Sequence, residues 1–343
     1  MNQPFTMPWS LKGKKVLIVD DYAEMRSLVH DMLKGFVPDR VVTANSGEQA
    51  IERMEQERFD LVLCDYNLGP GKDGQQVLEE ARGRALLPGH AVFVMITAEN
   101  TSEMVMGAIE HLPDDYIAKP FNRTLLASRV RRLMNVREGL GRIHELLERE
   151  RPEQALKVCE AQLREGSGNR SELVKLKGRI LMRLGRYQEA VDYHRALLRE
   201  REFPWASLAL GEALFNLRDY AAAQEVFTAL IRDNPANVLA HDWLARTLER
   251  LGRTEEAIRV VQEALERSPR SLQRQRLLAR LACAEGDHEL AESAWRGALK
   301  VGTHSWYRRP DDFGGLARTL VRRGDPDSAA EVIGRMERAF SPG

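Results

Sequence analysis

Three aspartates, a threonine and a lysine stand at the ends of separate apolar runs: Asp20 and Asp21, then Asp65, Thr97 and Lys119. Carboxylates brought together unpaired repel one another, and the pKa of at least one rises. A divalent cation removes that penalty. Mg²⁺ suits a site with few carboxylates, because it keeps waters and phosphate oxygens as its other ligands. The competing reading of Asp20 and Asp21 is helix capping, which would explain one of the two, since a helix is expected from about Ala23. It does not account for Asp65, which is followed by a loop. Lys119 would bring positive charge to the same edge. Alone, Lys119 or Thr97 says little, because most lysines are solvated and threonine often ends a strand. The set in its chain order (acidic pair, aspartate, threonine, Lys-Pro) points to a shared metal and phosphate site.

The elements that must position this set are legible around it. Residues 15–19, 40–44, 61–64, 91–96 and 115–118 form short, almost continuously apolar runs, as strands covered on both faces must. Helical patterns cover 23–35, 47–57, 73–86, 101–111 and about 122–136. Strand and helix alternating five times predict an α/β, doubly wound, five-stranded parallel sheet. Binding sites in such sheets form at the carboxyl ends of the strands. With the first and third strands adjacent, the three aspartates converge.

From about residue 136 the strand patterns stop and helices rich in Ala, Leu, Arg and Glu follow. Gly185, Gly252, Gly286 and Gly324 lie in short polar turns, and Arg218 holds the position between the first two. Five or six residues after each turn comes an alanine: Ala190, Ala223, Ala257, Ala291 and Ala329. Gly178 and Gly211 fall in first helices, Tyr187 and Tyr220 follow turns, and Phe227 and Trp295 fall in second helices. This period of about 34 resembles the tetratricopeptide repeat. The resemblance implies an all-α solenoid with a groove for a protein ligand. Residues 171–343 would hold about five repeats, the last one distorted. Residues 137–170 read as a linker helix or a degenerate repeat: Ala155 fits, but Glu150 and Arg151 replace the turn glycine.

The set in residues 14–136 resembles the receiver domain of bacterial response regulators, with residues 1–13 as a tail. That resemblance implies Asp65 as phosphoacceptor, and Mg²⁺ held by Asp20, Asp21, Asp65 and the backbone carbonyl of Asn67. Thr97 and Lys119 would contact the phosphoryl group, and Thr97 with Tyr116 would form the switch. Pro120 would follow a cis peptide. Asn67 and Glu99 would tune the rate of phosphate loss, as in chemotaxis-type receivers. The donor would be a histidine kinase or phosphotransfer protein, and a homodimer through the receiver is admitted. One departure stands out. Receivers usually carry a proline four residues after the acceptor, but here Gly69 holds that place, with Pro70 and Asp73-Gly74 one position late. The loop reads as a receiver loop lengthened by one.

Composition limits the alternatives. Lys+Arg and Asp+Glu both total 51, a neutral balance that argues against a chain built mainly for nucleic acid or anionic membrane. The basic run Arg129, Arg131, Arg132, Arg137 and Arg142 reads as a solvated face or dimer salt bridges, and no DNA-reading motif follows it. Cys64, Cys159 and Cys283 read as reduced thiols. No apolar run approaches the roughly 18 residues of a membrane span. The start lacks a signal peptide's pattern. A cytoplasmic phosphorelay response regulator acting through protein–protein interaction is expected, and not an enzyme beyond its own phosphoryl transfer and dephosphorylation. The competing reading is a phosphorylation-independent scaffold with a docking receiver.

Overall fold

The computed structural model describes residues 9–98, 113–166 and 169–341. Two compact units divide them, one reaching to Leu173 and the other running from Val174 onward.

The first unit holds a five-stranded parallel sheet in the order β2-β1-β3-β4-β5. The strands are β1 (Lys15–Val19), β2 (Arg40–Ala44), β3 (Leu61–Asp65), β4 (Val92–Thr97) and β5 (Asp115–Ala118). Every residue of the central strands β3 and β4 is buried, whereas the edge strands β2 and β5 are partly exposed. This explains why the central runs are wholly apolar. Val16 and Ile18 belong to one core cluster with Val29, Leu33, Leu126 and Val130, while Leu17 and Val19 are equally buried. Successive side chains point to opposite faces, so both faces are covered.

Helices α1 (Ala23–Lys34), α2 (Gly47–Gln56) and α3 (Gly74–Gly83) connect the first four strands. The starts of α2 and α3 follow from capping chemistry: Ser46 accepts from the Gln49 N–H, and Asp73 forms a capping box with Gln76. Helix α1 starts after Tyr22 with no side-chain cap, so neither Asp20 nor Asp21 serves there as the cap the sequence allowed for. The helix expected over 101–111 lies outside the described residues. Asn122 accepts from the Leu125 N–H at 2.9 Å and caps the start of α4 (Arg123–Glu148). Where the pattern predicted a stop near 136, α4 continues as one helix of 26 residues. No glycine or proline breaker with a positive φ interrupts it; Gly139 and Gly141 are simply absorbed.

Helix α5 (Pro152–Glu165) packs back on α4. The turn between them places Glu150 at φ 54°, the left-handed region that disfavours residues with a Cβ. The same turn recurs in the second unit with Gly185, Arg218, Gly252, Gly286 and Gly324 at φ values of 66–82°. In each case the next residue's N–H bonds five residues back: Arg151 to Leu146, Arg186 to Leu181, Asp219 to Leu214, Arg253 to Leu248, Asp287 to Ala282, Asp325 to Leu320. That is the closing bond of a Schellman motif. An alanine follows every one of these six turns by five residues, from Ala155 to Ala329, and all are buried. Glu150 and Arg151 do not break the pattern at 137–170; Glu150 adopts the glycine conformation.

The second unit contains the rest of α6 (Arg170–Arg183), then α7 (Tyr187–Glu200), α8 (Pro204–Asn216), α9 (Tyr220–Asp233), α10 (Val238–Arg250) and α11 (Thr254–Arg267). It ends with α12 (Leu272–Glu285), α13 (His288–Val301), α14 (Pro310–Arg322) and α15 (Pro326–Phe340). From α8 onward each helix packs on its predecessor. Close helix crossings explain the small residues. A Cβ on Gly211 would lie 2.4 Å from the Phe227 ring, and one on Gly178 would lie 2.6 Å from His194. The alanines and helix pairs together form the tetratricopeptide-type solenoid, with a packed interior along its length.

Candidate functional site

Sheet register assembles the site. Val19 pairs with Cys64, so Asp20 and Asp65 follow on adjacent strands. Asp65 pairs with Ile96, and Thr97 pairs with Ala118, one residue before Lys119. The Lys119 N–H donates to the Thr97 carbonyl at 2.7 Å. Four strand ends therefore bring Asp20, Asp21, Asp65, Thr97 and Lys119 to one edge. Lys119–Pro120 is a cis peptide, as the resemblance implied.

The Lys119 ammonium bridges two carboxylates, at 2.6 Å from Asp65 Oδ2 and 3.0 Å from Asp20 Oδ2. Asp20, Asp65 and Thr97 are only 3, 5 and 7 % exposed. Burial outweighs Lys119 and, with the Asp20 charge adding to it, pushes Asp65 up to about 6. Burial opposes the charge on Lys119, but its hydrogen bonds to Asp65 and Asp20 hold the ammonium above its ordinary value.

Ligand oxygens of Asp20, Asp21 and Asp65 lie within 4.8 Å of one another. Asp20 Oδ1 accepts from the Tyr22 N–H at 2.9 Å, whereas Asp21 Oδ1 is buried with no hydrogen-bond partner among the described residues. A buried carboxylate oxygen without a donor is costly. Three convergent hard oxygen donors, one of them orphaned, fit a divalent cation such as Mg²⁺.

The loop after Asp65 is built around this cluster. Gly69 and Gly71 adopt φ values of 73° and 102°, open to glycine at little cost. The Glu48 carboxylate of α2 accepts from the Lys72 N–H at 2.9 Å, and the Gly74 N–H donates to the Tyr66 carbonyl at 2.8 Å. The glycine-rich turn is thus tied at both ends. A Cβ on Gly74 would stand 2.2 Å from the Asp65 carbonyl oxygen, so the start of α3 fits only with glycine. Sequence spacing flagged the extra residue but not the Glu48 tether, because Glu48 is distant in the chain.

Asn67 is exposed in this loop, and Glu99 lies outside the described residues. Tyr116 is half-buried; its hydroxyl is buried without a partner among the described residues, and burial pushes the phenol up to about 12. The basic run on α4 is largely spent within the chain. Arg129 and Arg132 pair with Asp115 at 3.1 and 2.8 Å, Arg137 pairs with Asp114, and Arg142 with Glu145 at 2.7 Å. Among the described residues, no helix is long and apolar enough to cross a membrane.

Residues 16–131 match the family described as the response regulator receiver domain, and residues 140–204 and 208–271 match the tetratricopeptide repeat. The chemotaxis protein CheY-3 of Vibrio cholerae is 33% identical over 119 residues, 35% of this chain and 90% of that protein. The chemotaxis protein CheY of Pseudomonas aeruginosa is 28% identical over 119 residues, 35% of this chain and 94% of that protein. A solved tetratricopeptide repeat protein from Parabacteroides merdae matches 60% of this chain and 80% of its own, at 17% identity and a TM-score of 0.46.

Proposed function

Since the chain belongs to the response regulator receiver family and continues into tetratricopeptide repeats, we propose that it is a phosphorelay switch whose output is binding of a protein by the repeats. Asp65 accepts a phosphoryl group from a phosphohistidine on a histidine kinase or phosphotransfer protein. The observation that carries this reading is the Lys119 ammonium held between Asp65 and Asp20, beside the orphaned oxygen of Asp21.

A carboxylate oxygen of Asp65 attacks the phosphorus; the P–O bond forms as the P–N bond breaks, and the electron pair stays on the imidazole. Asp20, Asp21, Asp65 and the Asn67 carbonyl would hold Mg²⁺, which supplies neutralising charge to the transferring group. Lys119 contributes its fixed positive charge from between Asp65 and Asp20. Thr97, at the neighbouring strand end, donates its hydroxyl to the phosphoryl oxygens. A hydrogen bond to a charged group contributes about 1.5–3 kcal/mol, whereas inverting a 1:99 equilibrium takes about 5.5 kcal/mol. Thr97 therefore acts with Lys119 and with repacking of Tyr116, whose hydroxyl has no hydrogen-bond partner among the described residues. Asn67, exposed beside Asp65, is reachable by the water that ends the signal.

The receiver spans residues 14–136, and 137–170 form an eroded first repeat in front of the five in 171–343. Support for this division is the shared turn at Glu150 and the buried Ala155. Helix α4 serves both: Leu126, Val130 and Met134 lie in the receiver core, and its far end enters the Glu150 turn.

The test is labelling by acetyl phosphate in Mg²⁺ buffer, read by intact mass, for the wild-type chain and Asp65→Asn. One added phosphoryl group on the wild type and none on a folded variant is the expected result. Equal labelling of both removes Asp65 as the acceptor. A beryllofluoride mimic with Mg²⁺ should also alter tryptic cleavage across 137–170. An unchanged pattern would favour the phosphorylation-independent scaffold.

A further inference from the structure

Residues 66–73, between β3 and α3, include Asn67 and pass beside Asp21: a Cβ on Gly69 would stand 3.4 Å from Asp21 Oδ2. With Gly69 and Gly71 both at positive φ, the segment has little stiffness of its own. Its hold comes from the helices on either side. Glu48, exposed at the start of α2, accepts from the Lys72 N–H at 2.9 Å. Burial opposes the charge on Glu48, yet the Lys72 N–H helps to hold its carboxyl below the ordinary range, so the acceptor is ionised. Lys72 Nζ reaches the buried Glu80 of α3 at 3.6 Å.

The fit on the α2 side is close. A Cβ on Gly47 would lie 2.6 Å from the Lys72 carbonyl oxygen, and one on Gly71 would lie 2.7 Å from Glu48 Oε1. Helix α2 is itself fixed at this end, because Ser46 caps it and the Asn45 N–H donates to Gln49 Oε1 at 2.8 Å. The segment is thus pinned from two helices, and Glu48 is the pin supplied by α2.

Stiffness in a segment that offers an oxygen ligand bears on which divalent cation is preferred. Mg²⁺ demands near-ideal octahedral geometry at about 2.0–2.1 Å, whereas Ca²⁺ accepts about 6–8 oxygens at longer range in flexible arrangements. A segment released from α2 would serve Ca²⁺ as well as before and Mg²⁺ worse. We propose that Glu48 is a positioning residue that sets the preference of the aspartate site for Mg²⁺ over Ca²⁺, by holding the segment that offers the Asn67 carbonyl. The proposal rests on the metal site of the switch proposed above and adds what makes that site selective. Glu48 acts through the Lys72 N–H and touches neither the cation nor the phosphoryl group.

Calorimetric titration of the full chain with magnesium chloride and with calcium chloride tests it, for the wild type, Glu48→Ala and Glu48→Gln. Glu48→Ala should weaken Mg²⁺ by about tenfold, the low end for residues that orient metal ligands from outside, and move Ca²⁺ by less than about twofold. Glu48→Gln keeps an acceptor oxygen for the Lys72 N–H and should recover most of the Mg²⁺ affinity. Equal losses for the two cations, the mark of a general folding defect, overturn the proposal. So does an undiminished Mg²⁺ affinity in Glu48→Ala. A Glu48→Gln chain as weak as Glu48→Ala overturns it too, because charge and not the tether would then be responsible. Acetyl phosphate labelling of the same wild-type preparation separates the two readings. Labelling with an unchanged Mg²⁺-to-Ca²⁺ preference in Glu48→Ala defeats the tether alone, and a changed preference without labelling defeats the phosphoacceptor alone.

Discussion

Lys119 Nζ lies 2.6 Å from Asp65 Oδ2, closer than its 3.0 Å contact with Asp20, although the three residues come from three different strand ends. Without that ammonium, two buried carboxylates would face one another with no charge between them. Lys119→Met should therefore slow acetyl phosphate labelling of Asp65 by roughly 10²-fold, the scale of losing one preorganised electrostatic partner. Time courses on phosphate-binding gels would measure it. An unchanged rate would mean that Lys119 serves packing only.

The raised proton affinity of Asp65 fixes the direction of its pH dependence. With the folded value at about 6, the nucleophilic carboxylate is lost as pH falls below about 6, and labelling should fall with it. Stability runs the other way. Between the unfolded value near 4 and about 6, the native state keeps a proton that the unfolded chain has released. Metal-free stability should thus decline as pH rises across that window, by up to about 3 kcal/mol. Asp65→Asn should flatten that decline in urea melts taken at pH 4.5 and 7; a slope unchanged by the substitution would contradict the assignment.

Gly74→Ala tests the loop. The added Cβ would meet the Asp65 carbonyl oxygen at 2.2 Å, and backbone cannot swing aside as a side-chain tip can. A stability loss of about 1–3 kcal/mol is expected, together with weaker Mg²⁺ quenching or shift signals at the aspartate cluster. Full Mg²⁺ binding by a fully stable variant would show that the tether at Gly74 does not position Asp65.

His194 gives a prediction in the repeats. It packs over Gly178 as Phe227 packs over Gly211, sixteen residues on in both pairs. Both its ring nitrogens are buried without a hydrogen-bond partner among the described residues, and burial pushes its pKa down to about 4. The unfolded chain binds a proton near pH 6.5 that the folded imidazole refuses. Stability is therefore complete above about pH 6.5 and lost as pH falls toward 4, by up to about 3 kcal/mol. His194→Phe should remove this acid sensitivity and raise the melting temperature at pH 5. A variant as acid-sensitive as the wild type would place the sensitivity elsewhere.

The aspartates, Thr97 and Lys119 were legible because a strand buried on both faces reads as an unbroken apolar run, and a polar residue at its end must have a reason to be there. The repeats were legible because the buried alanines and turn glycines recur at about the same interval. Glu150 reads as a missing turn glycine, since the chain offers no sign that an acidic residue will take a left-handed conformation; the structure nevertheless holds it at φ 54°. His194 carried no signal beyond a lone histidine in a helix, and only its place opposite Gly178 exposes its cost.

By itself the sequence determined the two architectures and the identities of the residues at the strand ends, because periodicity and burial are written in residue types. Tertiary structure alone decided what those residues meet. Lys119 reaches Asp20 and Asp65, Glu48 ties the loop behind the acceptor, and Arg276 grips Asp312 across two helices of the repeats. Each is a contact between segments far apart in the chain, set by sheet register and helix crossing, and spacing along a chain does not encode distance across a fold.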